Sequence, residues 1–252
     1  MYPYIHLGPV TFGTYGIMVA TALICAFFVM RADLARRSLA VDAESIIGIT
    51  GLAGLAGARL YHLLEDPATF IANPLPLLFS TMGFAWFGAF LGGFVALVLL
   101  ARSYKMKVLM MLDVASPAAA LGYGIGRIGC LISGDGDYGI PTSLPWGMSF
   151  PNGLVPTTQR VHPTPIYELL AALLIAHILW RIGPRILRRE RPDGRVFACY
   201  LMLSGLARFL VEFIRLNPKL FLELSNAQIA SVLCFVGGGI LLWTLPPTQQ
   251  TR

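Results

Sequence analysis

The sequence predicts an all-α, polytopic membrane protein, a bundle of about seven transmembrane helices. Of its 252 residues, 56% are hydrophobic and only 13% are charged, which is more apolar surface than one soluble core of this length can bury. The apolar residues are gathered into windows of about 20 residues, the length that a helix needs to cross ~30 Å of hydrocarbon. The Lys and Arg residues fall mainly on alternate connections between these windows, as expected for a membrane protein of fixed orientation.

Seven windows have this composition: Phe12–Met30, Ser45–Leu64, Phe84–Ala101, Val108–Ile132, Ile166–Ile182, Val196–Ile214 and Ala227–Leu245. All of them are predicted to be helical, because lipid offers no hydrogen-bond partner to a backbone N–H or C=O group. No shift in composition and no internal repeat divides the chain. We therefore predict a single integral membrane domain over residues 1–252.

The Arg and Lys residues are divided unequally between the two sets of connections. One set carries thirteen of them: Arg31, Arg36, Arg37, Arg102, Lys105, Lys107, Arg181, Arg185, Arg188, Arg189, Arg191, Arg195 and Arg252. The other set carries three, which are Arg160, Arg215 and Lys219. Because cytoplasmic connections are enriched in these residues, the amino terminus is predicted to lie outside and the carboxyl terminus in the cytoplasm. This topology explains the net charge of +6 without a nucleic-acid partner.

Two connections on the predicted outer side are too long to be simple turns. The segment Ser133–Pro165 is rich in Gly, Pro, Asp and Ser, which exclude a continuous helix and indicate a folded loop. A connection of this length in a compact protein usually has a functional role. The shorter segment Glu65–Met82 contains Pro74 and Pro76 and is predicted to be a second irregular element beside the membrane.

Three arginines, Arg59, Arg127 and Arg208, lie inside predicted spans near their outer ends. An arginine in a span costs several kcal/mol unless it is paired or wetted. One interpretation is that Arg208 pairs with Glu212 one turn later, while the other two reach the outer interface. The alternative is that the three guanidinium groups hold an anion. Glu212 is the one carboxylate expected within reach inside a span on that side, and a guanidinium fork matches the oxygens of a phosphate.

Other polar and aromatic side chains fall at the same depth: Tyr15, Trp86, Phe87, His162, Tyr167 and Glu168. An aromatic belt at the membrane interface explains Tyr15, Trp86 and Tyr167 equally well. The four cysteines all lie in predicted spans, where a cysteine is ordinarily a small apolar residue. The sequence therefore predicts neither a metal site nor a cofactor.

Several motifs, taken together, resemble those of one family. They are Tyr15-Gly16, Gly57-Ala58-Arg59-Leu60, Leu91-Gly92-Gly93, Gly126-Arg127-Ile128-Gly129, Tyr138-Gly139, Pro145-Trp146-Gly147, His162-Pro163-Thr164 with Tyr167-Glu168, and the run from Arg208 to Arg215. In this order they resemble the bacterial phosphatidylglycerol–prolipoprotein diacylglyceryl transferases. They occur in six of the seven predicted helices, so chance similarity is a poor explanation.

The resemblance implies a transferase of the bacterial inner membrane, with its site facing the outer leaflet. It would move the diacylglyceryl group of phosphatidylglycerol to the lipobox cysteine of a prolipoprotein signal peptide and release glycerol 1-phosphate. Arg127 and Arg208 match the arginines expected to act on the phosphate, and His162 or Asp135 is the candidate for activating the thiol. The residues predicted to bind substrate are Tyr15, Arg59, Gly129, Gly139, Tyr167, Glu168, Glu212 and Arg215.

The chain departs from the family pattern at four positions. Phe87 stands where a His or Tyr is common, so a base at that position cannot exist here. Cys130 and Ser133 replace two asparagines, and Ser204 replaces a frequent Tyr. These departures leave two alternatives open. One is a divergent relative with another acceptor, and the other is a non-catalytic protein that binds or transports a phospholipid or an anion.

Overall fold

The computed structural model describes residues 1–72, 74–78, 85–187, 193–218 and 223–246. Contacts divide the chain into two compact units, one of residues 1–38 with 112–252 and one of residues 39–111. The prediction of a single membrane domain is not tested by this division. Several cations that carry the predicted orientation lie outside the described residues: Arg188, Arg189, Arg191, Lys219 and Arg252.

Helices dominate the described residues. In chain order they are α1 (Thr14–Arg36), α2 (Ala43–Glu65), α3 (Pro67–Ala72), α4 (Pro74–Leu78), α5 (Trp86–Ser103), α6 (Val108–Ser133), α7 (Thr164–Leu187), α8 (Arg195–Glu212) and α9 (Asn226–Thr244). Five described helices are long and apolar enough to cross a membrane, namely α1, α2, α6, the Thr164–Gly183 part of α7, and α9. The apolar part of α5, Phe87–Ser103, is shorter. The membrane-helical fold class is therefore confirmed, whereas seven crossings and their orientation stay predictions.

Two short antiparallel hairpins were not predicted from the sequence. The first pairs β1 (Tyr4–Leu7) with β2 (Val10–Gly13), so the first helix begins at Thr14 rather than at Phe12. The second pairs β3 (Met148–Phe150) with β4 (Thr157–Val161). It lies inside the predicted folded loop, which is confirmed because α6 ends at Ser133 and α7 begins at Thr164.

The loop between α6 and α7 has a small core of its own. Tyr138, Phe150 and Val161 are buried together, and the rings of Tyr138 and Phe150 stack with their centroids 5.2 Å apart. Backbone hydrogen bonds join Gly139 to His162 and Ile140 to Ile214. The loop is thereby fixed both to the start of α7 and to the segment that follows α8.

A buried carboxylate organises the start of α8. Asp113 in α6 is 2% exposed, and its two oxygens accept hydrogen bonds from the backbone N–H groups of Gly194 (2.8 Å) and Phe197 (2.7 Å). The first N–H groups of a helix have no partner within the helix, so a carboxylate from elsewhere can satisfy them. Asp113 therefore joins α6 to α8 at the end of the bundle farthest from Ser133.

Helices α8 and α9 pack closely along their length. A Cβ atom on Gly205 would lie 2.6 Å from the carbonyl oxygen of Ser231, and one on Gly238 would lie 2.7 Å from that of Ala198. Small residues at these contacts let the two backbones approach. The start of α9 is a capping box between Ser225 and Gln228, which satisfies two backbone N–H groups.

The second unit contains α2, α3, α4 and α5. Asp42 caps α2 by accepting from the backbone N–H groups of Glu44 and Ser45. Glycines again mediate the helix contact, because a Cβ on Gly57 of α2 would lie 3.1 Å from the Cα of Gly92 in α5. The irregular element predicted over Glu65–Met82 forms the short helices α3 and α4 in its described part.

Candidate functional site

Arg127 lies in the last two turns of α6, where side chains from three elements surround its guanidinium group. Its Nη2 donates to the hydroxyl of Tyr123 one turn earlier at 3.0 Å, and its Nε lies 3.3 Å from Oε2 of Glu168 in α7. Its Nη1 pairs with the carboxylate of Asp137 and lies 3.6 Å from Sγ of Cys130. All three nitrogens are thus engaged, although 14% of the side chain remains exposed.

The loop that follows α6 is folded so that Asp137 reaches the arginines. Gly134 and Gly136 have φ values of 60° and 94°, a left-handed conformation that glycine adopts without strain. Asp137 then bridges two cations, with Oδ2 pairing with Arg127 and Oδ1 pairing with Arg215. Its carbonyl oxygen accepts a hydrogen bond from the hydroxyl of Thr164 at the start of α7.

Glu168 is the central carboxylate of the site. It is 3% exposed, and its Oε1 accepts from the hydroxyl of Tyr123 and from Nη1 of Arg208, both at 2.6 Å. Its Oε2 lies 3.1 Å from Nη1 of Arg215 and 3.3 Å from Nε of Arg127. One buried carboxylate therefore holds three guanidinium groups that come from α6, α8 and the segment after α8.

Glu212 supports the other side of Arg208. The two residues pair one turn apart in α8, with 2.9 Å between Arg208 Nη2 and Glu212 Oε2. The remaining oxygen of Glu212 accepts from the side chains of Asn217 at 2.6 Å and Ser225 at 2.7 Å. The pairing that the sequence suggested is confirmed, and it coexists with the contact between Arg208 and Glu168.

We call this group of six residues the arginine cluster: Arg127, Arg208 and Arg215 with Glu168, Glu212 and Asp137. The sequence-based expectation that Glu212 would be the one carboxylate within reach inside a span on that side was wrong, because Glu168 in α7 also pairs with the arginines. Asp137, in the loop after α6, adds a third carboxylate. Three cations therefore face three anions. The cluster is a nearly neutral network of ion pairs rather than an uncompensated positive pocket.

Asp135 lies next to the cluster and differs from Asp137 in its charge environment. Burial, and after it the negative charge of Asp137, raises the pKa of the Asp135 carboxyl above its usual range. For Asp137, burial acts in the same direction, but the positive charges of Arg127 and Arg215 outweigh it and lower the pKa. Two carboxylates two residues apart are thus tuned in opposite directions, one as the better proton acceptor and one as a permanent anion.

Tyr15 and Gly129 meet beside Arg127. A Cβ on Gly129 would lie 3.1 Å from Cδ2 of Tyr15 and from the Cβ of Met18, so this glycine permits close contact between α6 and the first turns of α1. Tyr15 itself is 49% exposed. Its predicted role in substrate binding stays a prediction, while the packing role of Gly129 is explicit in the geometry.

His162 belongs to a bracing network at the start of α7. Its Nδ1 lies 3.2 Å from the hydroxyl of Tyr167, which also accepts from the indole N–H of Trp146 at 2.8 Å. Its carbonyl oxygen accepts from the N–H groups of Gly139 and Thr164. A Cβ on Gly139 would lie 3.0 Å from the Cβ of His162, so the absence of a side chain at Gly139 lets these two chain segments pack closely.

Two residues named in the sequence analysis, Arg59 and Phe87, belong to the second compact unit, residues 39–111. Arg59 is 7% exposed and donates from Nε to the carbonyl oxygen of Leu78 at 3.3 Å, which ties α2 to α4. Phe87 is 51% exposed, and its ring centroid lies 6.4 Å from that of Tyr61. The substrate-binding role of Arg59 stays a prediction.

Among the described residues, one group has side chains close enough to hold a metal ion. Cys130, Asp135 and Asp137 offer ligand atoms that lie within 4.8 Å of one another. A guanidinium group already contacts two of these three side chains, because Arg127 pairs with Asp137 and donates to Cys130. Two of the three candidate ligands thus already contact a cation, so the geometry favours an arginine-centred site.

Sequence reasoning did not assign Tyr123, Asp137 and Thr164 to the site. Tyr123 lies one turn before Arg127 on the same helix face, and this spacing of four residues was a signal that could have identified it. Asp137 and Thr164 depend on the path of the loop between α6 and α7. Their contacts join residues 10 and 27 positions apart, and no periodicity predicts these pairs.

Glu168→Gln is expected to destabilise the fold. The substitution keeps an oxygen that accepts from Tyr123 but removes the charge that pairs with three arginines, which costs about 3 kcal/mol in the free energy of unfolding. Thermal unfolding of the purified protein measures the loss. Glu65→Gln is the matched control, because the side chain of Glu65 is 53% exposed. Equal unfolding temperatures for the two variants would contradict a central role for Glu168.

The chain is similar to known proteins over most of its length. Residues 3–244 match the family model for prolipoprotein diacylglyceryl transferase. A phosphatidylglycerol–prolipoprotein diacylglyceryl transferase from Geobacter sulfurreducens is 37% identical over 219 residues, which cover 84% of this chain and 81% of the relative. Proteins of the same name from Clostridium tetani (34% over 230 residues, 89% of each chain) and Bordetella avium (32% over 262 residues, 98% and 95%) are also similar.

Proposed function

Because the chain belongs to the prolipoprotein diacylglyceryl transferase family, we propose that it transfers the diacylglyceryl group of phosphatidylglycerol to the cysteine thiol of a prolipoprotein signal peptide. Glycerol 1-phosphate leaves in the same reaction. The arginine cluster is the observation that carries this proposal, since it places three guanidinium groups around one point at the end of a membrane-spanning helix.

The phosphate of the lipid binds to Arg208 and Arg127. Their side chains are 23% and 14% exposed, whereas Arg215 is 5% exposed and already pairs with three carboxylates. Guanidinium groups match phosphate oxygens in pairs, and their charge stabilises the negative charge that grows on the departing glycerol phosphate. Arg215 therefore acts as a positioning residue that holds Asp137 and Glu168.

Asp137 occupies part of the place that the phosphate needs. Its side chain is 29% exposed, far more than those of Glu168 (3%) and Glu212 (1%), and its two oxygens bridge two guanidinium groups as two phosphate oxygens would. The incoming phosphate competes with this carboxylate for Arg127. Glu168 and Glu212 keep the arginines in position during the exchange.

The thiol proton passes to Asp135. The thiolate sulfur then attacks the glyceryl carbon that is bonded to the phosphate oxygen, a C–S bond forms, and the C–O bond breaks with its electron pair on glycerol 1-phosphate. The proton on Asp135 returns to solvent. Asp135 is favoured over His162 because it adjoins Cys130 and Arg127 and has a raised pKa, while the contacts of His162 brace the start of α7.

The protein is a multi-pass membrane protein, and we place its site at the outer leaflet of the bacterial inner membrane. This orientation predicts that a cysteine at Gln159 is labelled from outside and one at Arg31 only after permeabilisation. Both side chains are exposed, so a lack of labelling would reflect the membrane barrier. Labelling of both positions from the same side of intact cells would contradict the orientation.

A lipobox peptide offered to vesicles that contain the protein and phosphatidylglycerol tests the function. The peptide should gain the mass of a diacylglyceryl group, and a peptide with serine in place of its cysteine should not. An unmodified cysteine peptide, with protein that is folded and still binds phosphatidylglycerol, would instead favour a relative with another acceptor or a binding protein.

A further inference from the structure

A second group of buried arginines lies at the far end of α1 from the arginine cluster. The helix has 23 residues and is about 35 Å long at 1.5 Å per residue, long enough for its two ends to reach opposite membrane interfaces. Its first turns contact Gly129 beside the arginine cluster. Arg36 lies in its last turn and Arg37 is its C-cap residue, and both lie against the end of α7.

One carboxylate and one aromatic residue hold these two arginines. Asp33 is fully buried, and its two oxygens pair separately with Nε of Arg36 and with Nε of Arg37, the latter at 2.9 Å. The guanidinium group of Arg36 lies 3.7 Å from the ring centroid of Trp180 in α7 and donates from Nη1 to its carbonyl oxygen at 2.7 Å. Arg36 and Arg37 are therefore fixed in place rather than extended into solvent.

Each of the two arginines nevertheless keeps one buried nitrogen without an acceptor. In the part of the chain that the structure describes, Nη2 of Arg36 and Nη2 of Arg37 have no hydrogen-bond partner. Both approach the same point, because a Cβ on Gly183 would lie 2.9 Å from the first and 3.2 Å from the second. A buried donor left unsatisfied destabilises the fold, so two that converge call for a shared acceptor.

Among the described residues, two carboxylates that interact with this pair, Asp33 and Asp113, are already engaged. Both oxygens of Asp33 accept from the arginines, and both oxygens of Asp113, which interacts with Arg37 through its charge, accept from the start of α8. The side chain of Arg37 is 2% exposed and that of Arg36 is 18% exposed, so a ligand would reach the pair from the side of Arg36. In the predicted topology this end of α1 lies at the level of the lipid head groups.

We propose that Arg36 and Arg37 bind the phosphate group of an anionic phospholipid in the leaflet opposite the transferase site. A phosphate has several oxygens, so it can accept from both Nη2 atoms at once, and guanidinium groups suit it better than an ammonium group does. Basic pockets between helices at a membrane interface commonly bind lipid head groups. The bound lipid would join the ends of α1 and α7 and stabilise the bundle, independently of any transfer reaction.

Thermal unfolding in lipid nanodiscs tests this site. Adding phosphatidic acid to phosphatidylcholine should raise the unfolding temperature of the wild-type protein by about 3 °C. Arg37→Lys should lose this rise, because lysine keeps a cation for Asp33 but has no Nη2. Arg31→Lys, on the exposed face of the same helix, should retain it.

A second variant and a second ligand make the result decisive. Gly183→Ala places a methyl group against both Nη2 atoms and should also lose the rise, whether or not Arg37→Lys is stable enough to measure. An equal rise in the wild type and in both site variants would overturn the proposal. A full rise with inorganic phosphate in detergent would also overturn it, because the site would then bind a free anion rather than a lipid.

Discussion

Replacing Asp135 with asparagine is expected to lower transferase turnover by about 10²–10⁴-fold, the usual contribution of a general base. Asparagine has nearly the same shape but cannot take the thiol proton. His162→Gln should keep turnover near the wild-type value, because glutamine can still hydrogen-bond to Tyr167 and brace the start of α7. Initial rates with a lipobox peptide measure both variants. The reverse result, a large loss in His162→Gln alone, would assign the base to His162.

The pH dependence of turnover provides a second check on Asp135. A base must be deprotonated to work, so turnover falls as pH falls through its pKa. Because burial and Asp137 raise that pKa, the acid limb should lie above the ordinary aspartate value of about 3.9. In Asp135→Asn this limb should disappear from the residual rate. An unchanged acid limb would mean that another group titrates there.

Arg127→Lys and Arg208→Lys are each expected to reduce turnover by about 10²–10³-fold, the range found when one donor to a developing negative charge is removed. Lysine keeps the charge but cannot make the paired contacts of a guanidinium fork. Arg160→Lys is the control, since its exposed guanidinium group donates to the carbonyl oxygens of a loop. Near-normal turnover in both site variants, with normal folding, would reject the phosphate clamp.

The helical part of the fold could be predicted from composition because hydrocarbon imposes a fixed length on each apolar helix. The predicted window Val108–Ile132 and the observed helix α6, Val108–Ser133, differ by a single residue. The β1–β2 hairpin was not predicted because its strands have four residues each and all their positions are exposed, so no alternation marks them. The loop after α6 was predicted as a folded segment, but not its internal pairing.

Arg127 and Arg208 could be predicted because a charge inside a membrane span costs free energy wherever it occurs. Arg215 was predicted only from the family resemblance. Apart from Glu212, the partners of these arginines could not be predicted, because they are distant in sequence: Glu168 lies 40 positions from Arg208 and Asp137 lies 78 positions from Arg215. Only the packing of α6, α7 and α8 brings these side chains together. For the same reason the sequence suggested an excess of positive charge where the structure has balanced ion pairs.

The proposed reaction breaks the bond between the glyceryl carbon and the phosphate oxygen while a bond forms from that carbon to sulfur. The most direct test counts both products of one reaction, the diacylglyceryl peptide by mass spectrometry and glycerol 1-phosphate in solution. We expect them to appear in equal amounts and to fall together in Arg208→Lys. Peptide modified without release of glycerol 1-phosphate, or modified by an acyl chain alone, would contradict the proposed reaction.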